Sequence, residues 1–311
     1  MPGKRSKPKI VVGLGELLWD LLPEGPRLGG APANFAVMAG RLGNHAVVAS
    51  RLGTDALGAR ARALLETLPV DVTALQADPD LPTGTVGVAI EDGEPHYTIH
   101  EPVAWDRLQL TAEWTELARE ADAVCFGTLA QRGAVSRRTI LKFLDATRLD
   151  CVRVFDANLR PPFWSAETLR GSLGRATILK LNATELPLLL EATGICPYAP
   201  PAHDHRQLLA NVHRLLERYP LRMVCVTRGA NGSLLVTRDD FDVHRGHAAE
   251  VRDTVGAGDA FTAALTHYYL QDAPLDVMNE GGNRWGAWMA SQTGAMPPLD
   301  PETVEEMAAG L

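Results

Sequence analysis

At 311 residues, with 46% hydrophobic and 22% charged residues, the chain is long enough for one large α/β domain or two smaller ones and has an ordinary globular balance. A formal net charge of -8, with no Lys/Arg cluster beyond Lys4-Arg5-Ser6-Lys7, argues against a nucleic-acid partner, and no apolar run approaches the ~18 residues of a membrane helix. The basic start lacks the apolar stretch of a signal peptide, and Cys125, Cys151, Cys196 and Cys225 lie far apart without metal-ligand spacing, so they read as reduced thiols and the cytoplasm as the default compartment.

Residues 10–15 form a short apolar run of buried-strand type. Gly13-Leu14-Gly15 hints at a dinucleotide fingerprint, but position 18 is Leu and no helix follows directly, so that reading fails. No Gly-Lys-Ser/Thr ending exists, which excludes a P-loop. Further strands are predicted at 45–50, 123–127, 152–156, 178–181 and 223–227. Helices are predicted at 33–42, 56–68, 136–147, 166–174, 184–191 and 205–219. The alternation argues for a mainly parallel sheet with helices on both faces, whose ligands bind beyond the carboxyl ends of the strands. Residues 85–91 and 96–100 break the rhythm: they read as a hairpin around Asp92-Gly93, either an edge of the main sheet or, with 16–22, a small separate sheet. Residues 197–201 read as a loop.

Asp253-Thr254-Val255-Gly256-Ala257-Gly258-Asp259 runs into an amphipathic helix marked by Ala260, Phe261, Ala264, Leu265 and Tyr268. Gly256, Ala257 and Gly258 let a ligand approach backbone N–H groups that helix geometry leaves unpaired at the positive end of the dipole, an anion site. An acid beside such a site suits a base facing a hydroxyl that attacks a phosphate, although dipole complementation alone also explains it. Near the N-terminus, Gly29-Gly30-Ala31-Pro32-Ala33-Asn34 again pairs small residues with a polar one. Asn34 can donate to or accept from a sugar hydroxyl, or cap its helix.

These two stretches resemble the signatures of the ribokinase-like (PfkB-type) sugar kinases, in the right order and more than two hundred residues apart. The resemblance implies an α/β three-layer sandwich in one domain over 1–311, plus a small β-sheet lid from about 16–28 and 84–106 that carries a dimer contact in many members. It implies ATP and Mg²⁺, with Asp259 as base and Gly256, Ala257 and Gly258 as the anion hole. The helix dipole is expected to lower the pKa of Asp259.

Other strings carry finer expectations. Phe155-Asp156-Ala157-Asn158-Leu159-Arg160 is similar to the Asp-x-Asn-x-Arg element of fructokinases and ketodeoxygluconate kinases; Arg160 then holds a phosphate or sugar oxygen, or is a surface ion pair. Asn182 and Glu185 read as a capping pair, and by resemblance as organisers of Mg²⁺ and its waters. Thr227, Gly229 and Gly232 follow a strand where relatives hold nucleotide, although an Asn-Gly hairpin turn also accounts for them. Asn283 and Ala287 resemble adenine-side positions. Asp253 resembles a position that helps bind a monovalent cation, K⁺, or simply ends a strand. The stretches 15–20 and 100–106 look like those of bacterial fructokinases, with Asp20 and Glu101 accepting from sugar hydroxyls and Trp19 or Trp105 packing on the sugar or in the core. Fructose is the first expectation; ribose, 2-keto-3-deoxygluconate, a nucleoside, or a non-catalytic sugar-binding regulator follow.

Overall fold

The computed structural model describes residues 7–91, 94–200 and 205–311. The first part of the chain carries β1 (Ile10–Leu14), β2 (Leu18–Leu22), β3 (Gly25–Gly29), α1 (Ala31–Arg41), β4 (His45–Gly53), α2 (Ala56–Leu65), β5 (Leu75–Asp78), β6 (Gly84–Glu91) and β7 (Glu94–Ile99). The middle carries α3 (Ala112–Glu120), β8 (Ala123–Phe126), α4 (Ala134–Ala146), β9 (Val152–Asp156), α5 (Ala166–Leu173), β10 (Ile178–Asn182), α6 (Glu185–Thr193) and α7 (His205–Arg218). The last part carries β11 (Met223–Thr227), β12 (Ser233–Val236), β13 (Phe241–His244), α8 (Ala257–Tyr269), α9 (Leu275–Ala290) and α10 (Pro301–Ala308).

The main sheet has nine strands in the order β13-β12-β11-β10-β9-β8-β1-β4-β5. Its pairings are parallel from β11 through to β5, and antiparallel only where β12 and β13 extend one edge. Successive side chains of a strand point to opposite faces, and here both faces are apolar. Val12, Val47, Phe155, Leu179 and Val224 pack with Trp114, Phe143, Leu169 and Leu215 from α3 to α7. Their neighbours Val11, Val48, Val154, Ile178 and Cys225 pack with Phe35, Ala61, Leu265 and Trp285 from α1, α2, α8 and α9. This is the expected three-layer sandwich. α7 shows the helical logic plainly: Leu208, Val212, Leu215 and Leu216 are its buried stripe.

The predicted hairpin is β6 paired antiparallel with β7, and it belongs to a separate four-stranded sheet of order β3-β2-β6-β7 rather than to the main-sheet edge. β2 joins it in parallel with β6, as the pairing with 16–22 required. The Asp92-Gly93 turn lies outside the described residues. The residues of β3 predict no strand by themselves, since Pro26 and Arg27 break any apolar alternation, although the resemblance places 16–28 in the lid. Residues 100–106 leave this sheet and run into a short helical turn, Ala104–Arg107, that buries Trp105 completely. Trp19 is equally buried and donates from Nε1 to Leu57 O at 3.0 Å, so both tryptophans serve the core. Residues 197–200 are a loop, and Pro201 lies outside the described residues. Among the described residues no helix is long and apolar enough to cross a membrane.

Gly13 has a packing role that replaces the failed fingerprint. A β-carbon there would collide with the carbonyl of Pro32, so its absence lets α1 cross β1 at close range.

Candidate active site

Four strand ends and the start of one helix build the site. Along the carboxyl edge of the sheet, Thr227 closes β11, Asn182 closes β10, Asp156 closes β9, and Gly15-Glu16 follow β1. The amino end of α8 faces this edge. Gly256 is the residue before that helix and sits at φ 79°, where a side chain would also come within 2.8 Å of Ala295 Cβ. The N–H of Ala257 turns back to Thr254 O (3.2 Å). Gly258, one position further in, keeps a first-turn N–H that helix geometry does not pair.

Asp259 lies in this first turn. Asn34, 5% exposed on α1, donates from Nδ2 to Asp259 Oδ2 at 2.7 Å, and its Oδ1 has no partner. An amide that fixes a carboxylate with one end and keeps a spare acceptor at the other is suited to receive a hydroxyl between them. Burial raises the Asp259 pKa to about 6, with Asp156 adding to the rise; the Asn34 hydrogen bond, Lys180 and Arg160 act against it. The dipole expectation is therefore corrected. Loss of hydration and a nearby carboxylate outweigh the helix terminus.

On one side of Asp259 stand the expected sugar-binding residues. Gly30, at φ 113°, sits where a side chain would strike the Glu16 carbonyl, and Gly29 leaves room for Asp20, whose Oδ2 would lie 3.0 Å from a β-carbon there. Asp20 is pushed up by burial, while Arg160 pulls it down and Asp253 raises it. Arg160 is exposed on the loop after β9, which Asn158 turns through a left-handed conformation (φ 37°). Its guanidinium acts on Glu16, Asp20 and Asp259 together. Glu101 differs: its side chain is 61% exposed, and the contact it makes is with Arg132 Nε at 3.8 Å. Asp156 opens the Asp-x-Asn-x-Arg string at the end of β9. It is 4% exposed and paired with Lys180.

On the other side lies a cleft of about 920 Å³ lined by Asn182, Thr184, Thr227, Gly229, Arg228 and Arg245. Asn182 Oδ1 accepts from the N–H groups of Thr184 and Glu185 (2.9 Å each), and Glu185 Oε2 accepts from Asn182 N–H at 2.8 Å, the reciprocal capping pair the sequence suggested. Glu185 Oε1 accepts from Leu159 N–H at 2.7 Å. Each of its oxygens so retains one lone pair, enough to hold waters of a hydrated Mg²⁺. Asp253 accepts from Val255 N–H (3.0 Å), Gly294 N–H (3.0 Å) and Arg27 (3.4 Å).

Two of the expected nucleotide residues have structural work. Gly232 stands where any side chain would strike the His244 carbonyl, and the lining of the cleft does not include it. Asn283 is 7% exposed, its Nδ2 committed to Ser233 Oγ (2.6 Å) and to Asn279 O (2.8 Å), which binds α9 to β12.

Residues 26–302 match the model of the pfkB family carbohydrate kinases. The chain belongs to that family. It is 31% identical over 306 residues to the fructokinase of Escherichia coli, covering 92% of this chain and 94% of that one. Its fold superposes on the Vibrio cholerae fructokinase in its fructose, ADP and calcium ion bound form with a TM-score of 0.80 at 27% identity, over 97% and 99% of the two chains. It shares the fold of the Salmonella enterica aminoimidazole riboside kinase as well, with a TM-score of 0.78 at 24% identity over 96% and 99%.

Two residues of this kinase escaped the sequence reading of roles. Lys180 interrupts the apolar run of β10, and a lone charge in a doubly buried strand is a signal that was available. Glu16 is 3% exposed, its Oε2 lacks a partner, and burial lifts it to about 7, with Asp259 adding to the rise and Arg160 opposing it.

Proposed function

We propose that this carbohydrate kinase transfers the γ-phosphoryl group of ATP to a hydroxyl of D-fructose. The observation that carries the transfer chemistry is the Asn34–Asp259 contact at the mouth of α8, which sets a carboxylate in the same first helical turn as the unpaired Gly258 N–H. Fructose rests on the fructokinase relatives, together with Asp20 as a hydroxyl acceptor.

In this reading ATP lies along the cleft of Thr227, Gly229 and Asn182, with its γ-phosphoryl at Gly256–Gly258. Asn34 and Asp20 hold the sugar, and Asp259 orients the attacking hydroxyl and takes its proton. Because the transition state is loose, the proton leaves late and a carboxylate of pKa near 6 is adequate. Glu185 and Asn182 would hold a hydrated Mg²⁺, which supplies charge neutralisation between the phosphates. Asp253 is the residue toward which a K⁺ would be drawn; its carboxylate already orders the loop before Gly256. The four-stranded sheet would act as a lid over the sugar, and its free edges β3 and β7 would serve a homodimer.

A second reading has one observation in its favour. Arg160 is an exposed cation amid Glu16, Asp20 and Asp259, which suits an acidic sugar such as 2-keto-3-deoxygluconate. The experiment is ATP consumption by the purified protein with Mg²⁺, with and without K⁺, across fructose, ribose, 2-keto-3-deoxygluconate and adenosine. Saturable turnover with fructose supports the proposal. Preference for 2-keto-3-deoxygluconate replaces fructose and assigns Arg160 to the carboxylate.

A further inference from the structure

Lys180 is the single charge in the strand Ile178-Leu179-Lys180-Leu181-Asn182. An ammonium in a strand covered on both faces is costly unless it is paired. It is paired: Nζ lies 3.0 and 3.2 Å from the two oxygens of Asp156, and Thr262 of α8 donates to the same carboxylate at 3.1 Å. The pair thus links β9, β10 and α8 below the site.

The ammonium also reaches past its partner. A β-carbon on Gly258 would lie 2.9 Å from Lys180 Nζ, so the ammonium rests against the underside of the Gly256–Gly258 loop. The β-carbon would point at the lysine, so its absence makes room for the ammonium, while the Gly258 N–H stays unpaired in the first turn. Burial works against the charge on Lys180, but Asp156, Glu185 and Asp259 outweigh it and the net shift is upward, so the group stays cationic at any working pH. Acids crowd this edge of the sheet, and the protein carries a net charge of -8. An anionic phosphoryl group entering there is favoured by a fixed positive charge, which acts strongly at short range in a poorly hydrated site.

We propose that Lys180 is a positioning residue for phosphoryl transfer, its ammonium seated against Gly258 from inside the fold and supplying the fixed charge behind the anion hole. This rests on the reading of Asp259 and Gly256–Gly258 as the transfer site.

The test uses the full chain and three variants: Lys180→Met, Lys180→Met/Asp156→Asn and Asp259→Ala. ATP turnover is followed with D-fructose, D-ribose and 2-keto-3-deoxygluconate as acceptors, and KM for ATP and sugar is measured alongside kcat. Lys180→Met strands the Asp156 charge and is expected to lose stability. The double variant removes both charges and keeps the fold, as its melting temperature reports. It is expected to lose kcat on the order of 10²-fold, as when one oxyanion-hole donor is removed, with KM for both substrates little changed. A folded double variant with wild-type kcat overturns the proposal, because Lys180 would then only neutralise Asp156. If the double variant does not fold, Lys180→Gln/Asp156→Asn decides: it keeps the pair as a neutral hydrogen bond and leaves the Gly256–Gly258 loop untouched, so unchanged kcat overturns the proposal and a lower kcat at constant KM supports it. Asp259→Ala separates the two failures. Near-normal turnover there removes the underlying site reading, whereas an inactive Asp259→Ala beside an active double variant removes the role of Lys180 alone.

Discussion

Asn34 Nδ2 and Asp259 Oδ2 meet at 2.7 Å across 225 residues of chain. One comes from the first helix and the other from the eighth, so the two sequence signatures converge on a single hydrogen bond. The donor stabilises the ionised carboxylate, and its loss is felt in the pH profile. Asn34→Ala is expected to raise the Asp259 pKa above about 6 and move the acid limb of kcat/KM to higher pH, with a higher KM for sugar. Rate profiles of the two proteins over pH 5–9 check this; an unmoved limb means the contact does not operate in the working enzyme.

In the mechanism proposed for the unaltered enzyme, Asp259 serves as base when ionised and is idle when protonated. With a pKa of about 6, kcat/KM is expected to be level above that value and to fall tenfold per pH unit well below it. A kcat/KM limb near pH 4, the ordinary carboxylate range, would contradict the effect of burial on Asp259 in the free enzyme.

Glu16 makes the matching prediction for stability. Its folded pKa, about 7, lies above the 4.5 of the free side chain. The native state therefore favours the protonated form, and this contribution is complete below about pH 4.5 and lost as pH rises through 7. Glu16→Gln stays neutral throughout. Its stability relative to wild type is expected to improve by up to about 3 kcal/mol between pH 4 and pH 8. Urea unfolding at the two pH values measures the difference, and a constant offset counts against an ionisable Glu16 in the fold.

Gly256 combines a left-handed φ of 79° with the close approach of Ala295. Gly256→Ala is expected to cost about 1–3 kcal/mol and to misalign the N–H groups that follow. A lower melting temperature with reduced kcat is the predicted pair of effects.

The sequence carried the fold where physics is local. The stripe of α7 and the β-branched runs of β1 and β11 announce themselves by period and composition. β3 does not, because Pro26 and Arg27 are tolerated only through pairing with β2, a long-range fact. α3 buries just Trp114 and Ala118, too few residues to mark a face. At the site, the Asn182–Glu185 cap was legible from spacing, while Asp259 and Asn34 were singled out by the small residues beside them and by resemblance. The sign of the Asp259 shift was not, since desolvation and the field of Asp156 depend on what the fold packs around the helix end. Gly232 and Asn283 looked like ligand residues because small and amide side chains serve close backbone packing and buried networks equally well.

The central claim is that Asp259 is the base of the transfer site. It is tested most directly by kcat for ATP-dependent phosphorylation, at pH 8 with Mg²⁺ and the best acceptor sugar, in wild type and Asp259→Ala, alongside ATP affinity and melting temperature. The account predicts a loss of roughly 10²–10⁴ in kcat with affinity and fold retained. Turnover near wild type in a folded Asp259→Ala would contradict it.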